Sequence, residues 1–421
     1  MTTDDRFARN LSAWLAEDGA HRVSDHLAEV LVHSAATRQR PWWSSPERWL
    51  PVDTTLRPRP FNLPSAGRLL TVALLVLLAA AIAVFAIGSQ QHRLPAPFGL
   101  ARNGAVIGSR NGDLYRFDVK TGEATLLLGD PAFDFGATYS RDGTKFAFLR
   151  SAERPPADGP ALLTLMLANA DGSDLHAITA PTRALDWLDW SPDSEHFAYI
   201  ANGVLKVVDT ATGVSTVLHT GQSAHMALWL PPTGDEIIFR RESSVPGIFA
   251  IKPDGSGLRE ISQTPPVNDS DFGSLAVAPD GSRIAFTRWS SNGSPHVHSI
   301  DLATGADVTY PTSSLGTHEA VFSPDGTSIT YATVIPGQGT QLAIASADAS
   351  GGERMIGPVV PRAADGPVPA FWNFTPDGTA LVARFGTDEG GTTYLVPLDG
   401  SDSRILDTGS FEFVDVQRLA P

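Results

Sequence analysis

A short turn flanked by apolar residues recurs six times in this chain: "TYSRDGTKFAF", "DWSPDSEHFAY", "LWLPPTGDEIIF", "AVAPDGSRIAF", "AVFSPDGTSITYA" and "NFTPDGTALVA". Aligned on one column, the copies place Gly143, Ser194, Gly234, Gly281, Gly326 and Gly378 at intervals of 51, 40, 47, 45 and 52 residues. Three residues further on stand Phe146, Phe197, Ile237, Ile284, Ile329 and Leu381. Five residues on stand Phe148, Tyr199, Phe239, Phe286 and Tyr331, with Ala383 the exception. Before the turn comes another apolar column, Tyr139, Trp190, Trp229, Val277, Phe322 and Phe374, the third copy carrying one extra residue. Alternation with a period of two on both sides of a tight turn predicts a pair of strands. Within the turn, proline fixes φ, aspartate bonds nearby backbone amides and glycine accepts φ > 0. A device repeated at each equivalent place reads as geometry, because catalytic groups do not recur so evenly.

Each unit carries a second turn ("FDVKTG", "VDTATG", "IKPDGSG", "IDLATG", "VPLDGSD") followed by another short apolar run. Units of roughly 40–50 residues with four strands each predict an all-β propeller, whose radially stacked blades leave only short edges. Six units are complete. A seventh is split: residues 104–128 supply three of its strands and "FEFVDVQRL" (411–419) supplies the innermost, zipping the two ends together. Seven blades is the expectation and six the alternative. The "SPDG…IAF" unit resembles the TolB-like, WD-repeat-like propeller repeat of bacterial envelope proteins over residues 100–421. That resemblance implies a fold rather than one activity, since such propellers serve as binding scaffolds and as accessory domains of peptidases. "LPPTG" and "SPDS" depart from the pattern.

Ahead of the repeats, "LLTVALLVLLAAAIAVFAIG" (69–88) runs for 20 residues without a charge. As a helix it rises roughly 30 Å, one hydrocarbon thickness, and predicts a transmembrane helix. Arg48, Arg57, Arg59 and Arg68 precede it closely, against Arg93 and Arg102 after it. The positive-inside rule then predicts a single-pass protein of the cell membrane, N-terminus cytoplasmic and propeller extracytoplasmic. Residues 1–50 read as a cytoplasmic helical segment, with two short amphipathic helices within 4–36, and 51–68 as a Pro/Arg-rich connector. Trp42, Trp43 and Trp49 suit either a membrane interface or a small helical core. The layout resembles transmembrane anti-sigma regulators, in layout only, because the zinc-type module of that class needs cysteines.

The chain contains no cysteine, which excludes disulfides, thiolate zinc sites and cysteine nucleophiles. Its net charge of −15 lies almost wholly after residue 93, and phosphate binding needs a basic face, so nucleic acid is not an expected partner. No nucleophile elbow, HExxH, P-loop or dinucleotide fingerprint occurs. No catalytic residue, cofactor or metal ligand is assigned. His296 and His298 beside Asp301 give a weak metal pattern, and "NDSDFG" (268–273) lacks the spacing of a calcium loop.

One column invites a functional reading. At the end of the second strand stand Arg150, Arg241 and Arg288, with Trp289 next to the last, and Arg110 joins them if Asn103 takes the glycine place of the split blade. In a propeller that end shares a face with the connections between blades, which here carry Asp130, Asp134, Asp269, Asp271, Glu319 and Asp365. The guanidiniums suit bidentate contacts to carboxylates of a ligand or protein partner; the alternative is that each pairs with a neighbouring blade's acid. The expected function is non-enzymatic binding or sensing in the cell envelope. A transmembrane regulator, and a propeller-type hydrolase or lactonase, are the alternatives.

Overall fold

A computed structural model describes residues 94–421, except 157–160, 184, 220–223, 242–246, 264–273, 290–293, 311–316, 362–369, 388–389 and 409–410. Contacts divide the chain into Met1–Ser89 and Gln90–Pro421. The expected cytoplasmic helices, the connector and the span at 69–88 therefore lie outside the described residues. Among the described residues no helix is long and apolar enough to cross a membrane.

Seven antiparallel sheets follow one another, and each is one blade. The inner strands, called a, are Phe411–Leu419 in blade 1, then Phe133–Tyr139, Leu185–Trp190, Ala224–Trp229, Leu275–Val277, Thr317–Phe322 and Ala370–Phe374 in blades 2 to 7. Strands b, c and d step outwards from each, and blade 2 gains a short fifth strand, Thr182–Arg183, beside its strand c. Blade 1 is the split one. Phe411–Leu419 pairs antiparallel with Arg102–Arg110, its strand b, so the end of the described chain closes the ring onto its beginning. The seven-blade expectation holds, with the inner strand drawn from the predicted residues.

The repeat columns form the core because each blade is covered on both faces. Phe146 and Phe148 of blade 2 pack against Ile107 and Leu114 of blade 1. The residue between them, Ala147, faces the other way, against Trp190 and Phe197 of blade 3. The same division holds where Ile238 of blade 4 meets Ile284 and Phe286 of blade 5, and where Val382 of blade 7 meets Val106 and Val416 of blade 1. Strand b is thus buried on both sides, so the alternation in the sequence separates the preceding neighbour from the following one rather than core from solvent.

The recurrent turn has two duties. Its aspartate collects local donors: Asp325 Oδ1 accepts from Ser323 Oγ at 2.5 Å, Thr327 N at 3.0 Å and Thr327 Oγ1 at 2.9 Å. Partial burial alone would raise the Asp325 carboxyl, but these bonds hold it below the usual range. Its glycine makes room for the preceding blade. A Cβ on Gly143 would lie 2.0 Å from the Arg418 carbonyl oxygen, and one on Gly281 would lie 2.0 Å from that of Pro231. The two blades without glycine solve the same contact with a polar side chain. Ser194 Oγ accepts from Asp142 N of the preceding turn at 3.0 Å, and Asn103 Oδ1 accepts from Asp377 N of the preceding turn at 3.0 Å. Asn103 therefore occupies the glycine place of blade 1, as the alignment expected.

Two glycine substitutions separate these effects. Gly143→Ala places a methyl inside a neighbouring carbonyl and is expected to cost more than about 3 kcal/mol. Gly305→Ala sits at φ 72° with nothing within 4 Å and is expected to cost about 1 kcal/mol of left-handed strain. Denaturant melts of both variants check the difference.

Candidate functional site

The axis of the ring has two mouths. One is formed by the a–b turns, the other by the b–c and d–a connections where the arginine column was expected.

At the second mouth the column is present and largely engaged within the protein. Arg110 of blade 1 pairs with Asp407 of blade 7 at 2.6 Å, the neighbouring-blade contact foreseen as the alternative. Arg150 instead pairs within reach of its own blade's inner strand, with Asp134 at 2.7 Å and Asp130 at 2.7 Å. The Asp134 side chain is 1% exposed. Burial raises the Asp134 carboxyl despite Arg150, whose own pKa is raised first by that hydrogen bond. Arg288 pairs with Asp307 of its own blade at 2.9 Å and reaches Ser262 Oγ of blade 4 at 3.5 Å. Arg241 lies 3.9 Å over the Phe249 ring and has further partners. The side chain of Trp289, and Asp269, Asp271, Asp365 and the 268–273 loop, lie outside the described residues. The column thus stands on four blades, and a partner's carboxylate would have to compete with internal acids.

His298 does not join Asp301. Its Nδ1 lies 3.0 Å from Asp307 Oδ1 on the neighbouring strand d, while Asp301 Oδ1 accepts from Ala303 N and Thr304 N in its own turn. No grouping of three or more His, Cys, Asp or Glu suited to a metal ion occurs among the described residues.

Glu319 is the exception among the acids. It sits at a bulge of strand a in blade 6 with φ 53°, and its N–H donates to Thr287 Oγ1 at 3.2 Å. Burial alone lifts its carboxyl to about 7. Strand bulges recur at Gly136 and Met226 with φ 66° and 48°, so the backbone kink is a shared feature and only the acid is particular to blade 6.

The first mouth holds the more developed site. Two inner-strand carboxylates at equivalent positions stitch adjacent blades: Asp189 Oδ2 accepts from Trp229 N at 2.7 Å, and Asp415 Oδ2 from Tyr139 N at 2.8 Å. Burial raises both carboxyls. Two residues beyond the aromatic column, blades 4 to 7 place Pro231, Pro279, Pro324 and Pro376 around the mouth, whereas blades 1 and 2 place Arg418 and Arg141. Arg141 Nη2 meets Asp189 Oδ1 at 2.6 Å. Across this mouth lies the segment 94–100. Arg418 Nη2 donates to Ala96 O at 3.0 Å and Gly99 O at 2.7 Å, and the Arg141 guanidinium lies 5.0 Å over the Phe98 ring. A partly open cavity of ≈220 Å³ lies between Pro97, Phe98 and Gly99 of this segment and Trp229, Phe322, Phe374 and the turn prolines. The arginine in "YSRDG" where other copies read proline was the available sequence signal, and it was missed.

No protein-family model matches the chain, and no curated protein does. Solved structures do. Oligogalacturonate lyase in complex with manganese is 17% identical with a TM-score of 0.56, covering 73% of this chain and 90% of that one. Oligogalacturonate lyase from Vibrio parahaemolyticus is 15% identical with a TM-score of 0.54, covering 74% and 92%. TolB from Acinetobacter baumannii is 18% identical with a TM-score of 0.49, covering 74% and 82%. The likeness is one of fold. The chain carries the seven-bladed propeller expected from its TolB-like repeat.

Two predictions follow from the charges. Arg150→Ala leaves Asp134 buried without its cation and is expected to cost about 2–4 kcal/mol, whereas Arg288→Ala, at a more exposed pair, is expected to cost under about 1 kcal/mol; thermal melts distinguish them. For Glu319 the folded pKa of about 7 lies above the 4.5 of a free glutamate side chain. The folded state therefore binds the proton more tightly, and stability falls as pH rises through 7. Glu319→Gln should raise the melting temperature at pH 8 by several degrees and leave it nearly unchanged at pH 5. A constant offset at both pH values would refute the assignment.

Proposed function

We propose that the chain is a single-span, membrane-anchored, non-enzymatic propeller that binds a protein or ligand of the cell envelope through its b–c and d–a face. The observation that carries this reading is the unequal make-up of the two faces. The a–b turns are nearly uniform and are tied blade to blade by the glycine, serine and asparagine contacts. The connections at the opposite face vary widely in length: 111–112, 202–203 and 336–338 are short, while 152–161, 264–274 and 362–369 are long. Variable loops on a fixed scaffold are where recognition usually resides. The charged column on that face supplies polar contacts at its rim. The described chain enters at the other mouth, through 94–100.

Since the chain has no cysteine, single substitutions give a direct test. With a membrane-impermeant maleimide on intact cells, Ser401→Cys should label and Ser12→Cys should label only after permeabilisation. A photoreactive maleimide at Asn268→Cys should give a discrete crosslinked species, and the same probe at Ser173→Cys, in a c–d turn, should give none. Equal crosslinking from both positions argues against the loop face as the recognition surface. Labelling of Ser12→Cys in intact cells argues against the topology.

A further inference from the structure

The mouth spanned by residues 94–100 has a charge imbalance at one residue. Arg418 is half-buried, and desolvation first, then the nearby Arg141 guanidinium, lowers its pKa to about 10. Asp415 opposes this shift, but no carboxylate comes within ion-pair distance of Arg418 among the described residues. The two acids at this mouth are already committed. Asp189 holds Arg141 and the Trp229 N–H. Asp415 takes the Thr138 hydroxyl at 3.0 Å and the N–H groups of Tyr139 and Val416 at 2.8 Å. The acceptors left to Arg418 are two neutral carbonyls, those of Ala96 and Gly99. Its Nε is buried with no hydrogen-bond partner.

We infer that the cavity under segment 94–100 is a binding site for a small monocarboxylate with an apolar body, and that its occupation releases this segment from the mouth. A carboxylate matches the guanidinium fork in a bidentate manner, and charge-assisted hydrogen bonds are roughly twice as strong as neutral ones. Such a ligand displaces the Ala96 and Gly99 carbonyls from Arg418. Asp189 and Asp415 oppose a second negative charge, which selects against inorganic phosphate. The walls of Phe322, Phe374 and the turn prolines favour an apolar body, and the ≈220 Å³ present before the segment leaves admits an entering ligand of a few carbons. Phe98 is held by the Arg141 face and its own place in the mouth; it loses that cover when the segment leaves. The inference does not depend on the loop face as the recognition surface.

Chymotrypsin cleavage after Phe98 of the full-length chain, followed by mass spectrometry, reads the release. Butyrate should accelerate this cleavage at least fivefold over chloride at equal ionic strength, while phosphate and butylammonium should leave it unchanged. Arg418→Gln should remove the response to butyrate, and Arg418→Lys should keep a weaker one. Cleavage indifferent to butyrate overturns the proposal on the unmodified chain, whatever the variants do. Equal acceleration by phosphate overturns the monocarboxylate assignment, and an undiminished response in a folded Arg418→Gln overturns the role of that residue.

Discussion

Everything in the described structure depends on one pairing, that of Phe411–Leu419 with Arg102–Arg110. A stack of blades left open would expose apolar faces at its first and last members. Closing it through hydrogen bonds within a single blade turns seven local sheets into a ring. The closure also sets the electrostatics of the axis, because the same strand carries Asp415, Gln417 and Arg418 into contact with blade 2. Gln417 Nε2 donates to the Gly143 carbonyl at 2.7 Å, while its Oε1 meets Ala105 N at 3.4 Å.

The buried acids of the inner strands show how charge is used here. Asp189 and Asp415 accept main-chain N–H groups of the next blade, whereas Ser194 and Asn103 at the turns accept one from the preceding blade. A carboxylate buried for this purpose carries a desolvation cost, visible in its raised pKa, and the backbone donors offset only part of it. The turn aspartates are the opposite case. Asp325 and Asp348 sit nearer solvent and collect several hydroxyl and amide donors, which hold both carboxyls below the usual range, Asp348 at about 2 through Ser350 first and then Ser346. Folded stability from the turn group is present above the unfolded carboxyl range and lost as pH falls through it.

Much of the propeller was legible in the sequence because its signals are local. A turn needs its glycine and aspartate at set offsets, and a strand buried on both sides needs Phe146, Ala147 and Phe148 in succession. The split blade was legible too, because residues 104–128 lacked only an inner strand. The candidate sites were less so. Whether Arg150 meets Asp134 or a neighbour's acid depends on the bulge that kinks its partner strand, and periodicity does not encode that. The tie between His298 and Asp307 crosses to strand d, while the sequence suggested the nearer Asp301. Arg141 and Arg418 acquire meaning only when blades 1 and 2 are seen to be adjacent, which requires the ring to be closed.

That closure also has a consequence for the order of folding. The bond between Ala105 and Gln417 joins residues 312 positions apart, so the first blade to leave the ribosome is the last to be finished. Until then blade 1 is a three-stranded fragment whose strand b presents an unpaired inner edge, the kind of edge that invites pairing with another chain. Contacts of such long sequence separation form late, after loop entropy has been overcome. The growing propeller therefore carries an open seam while blades 2 to 7 are made, and strand Phe411–Leu419 is the segment that seals it.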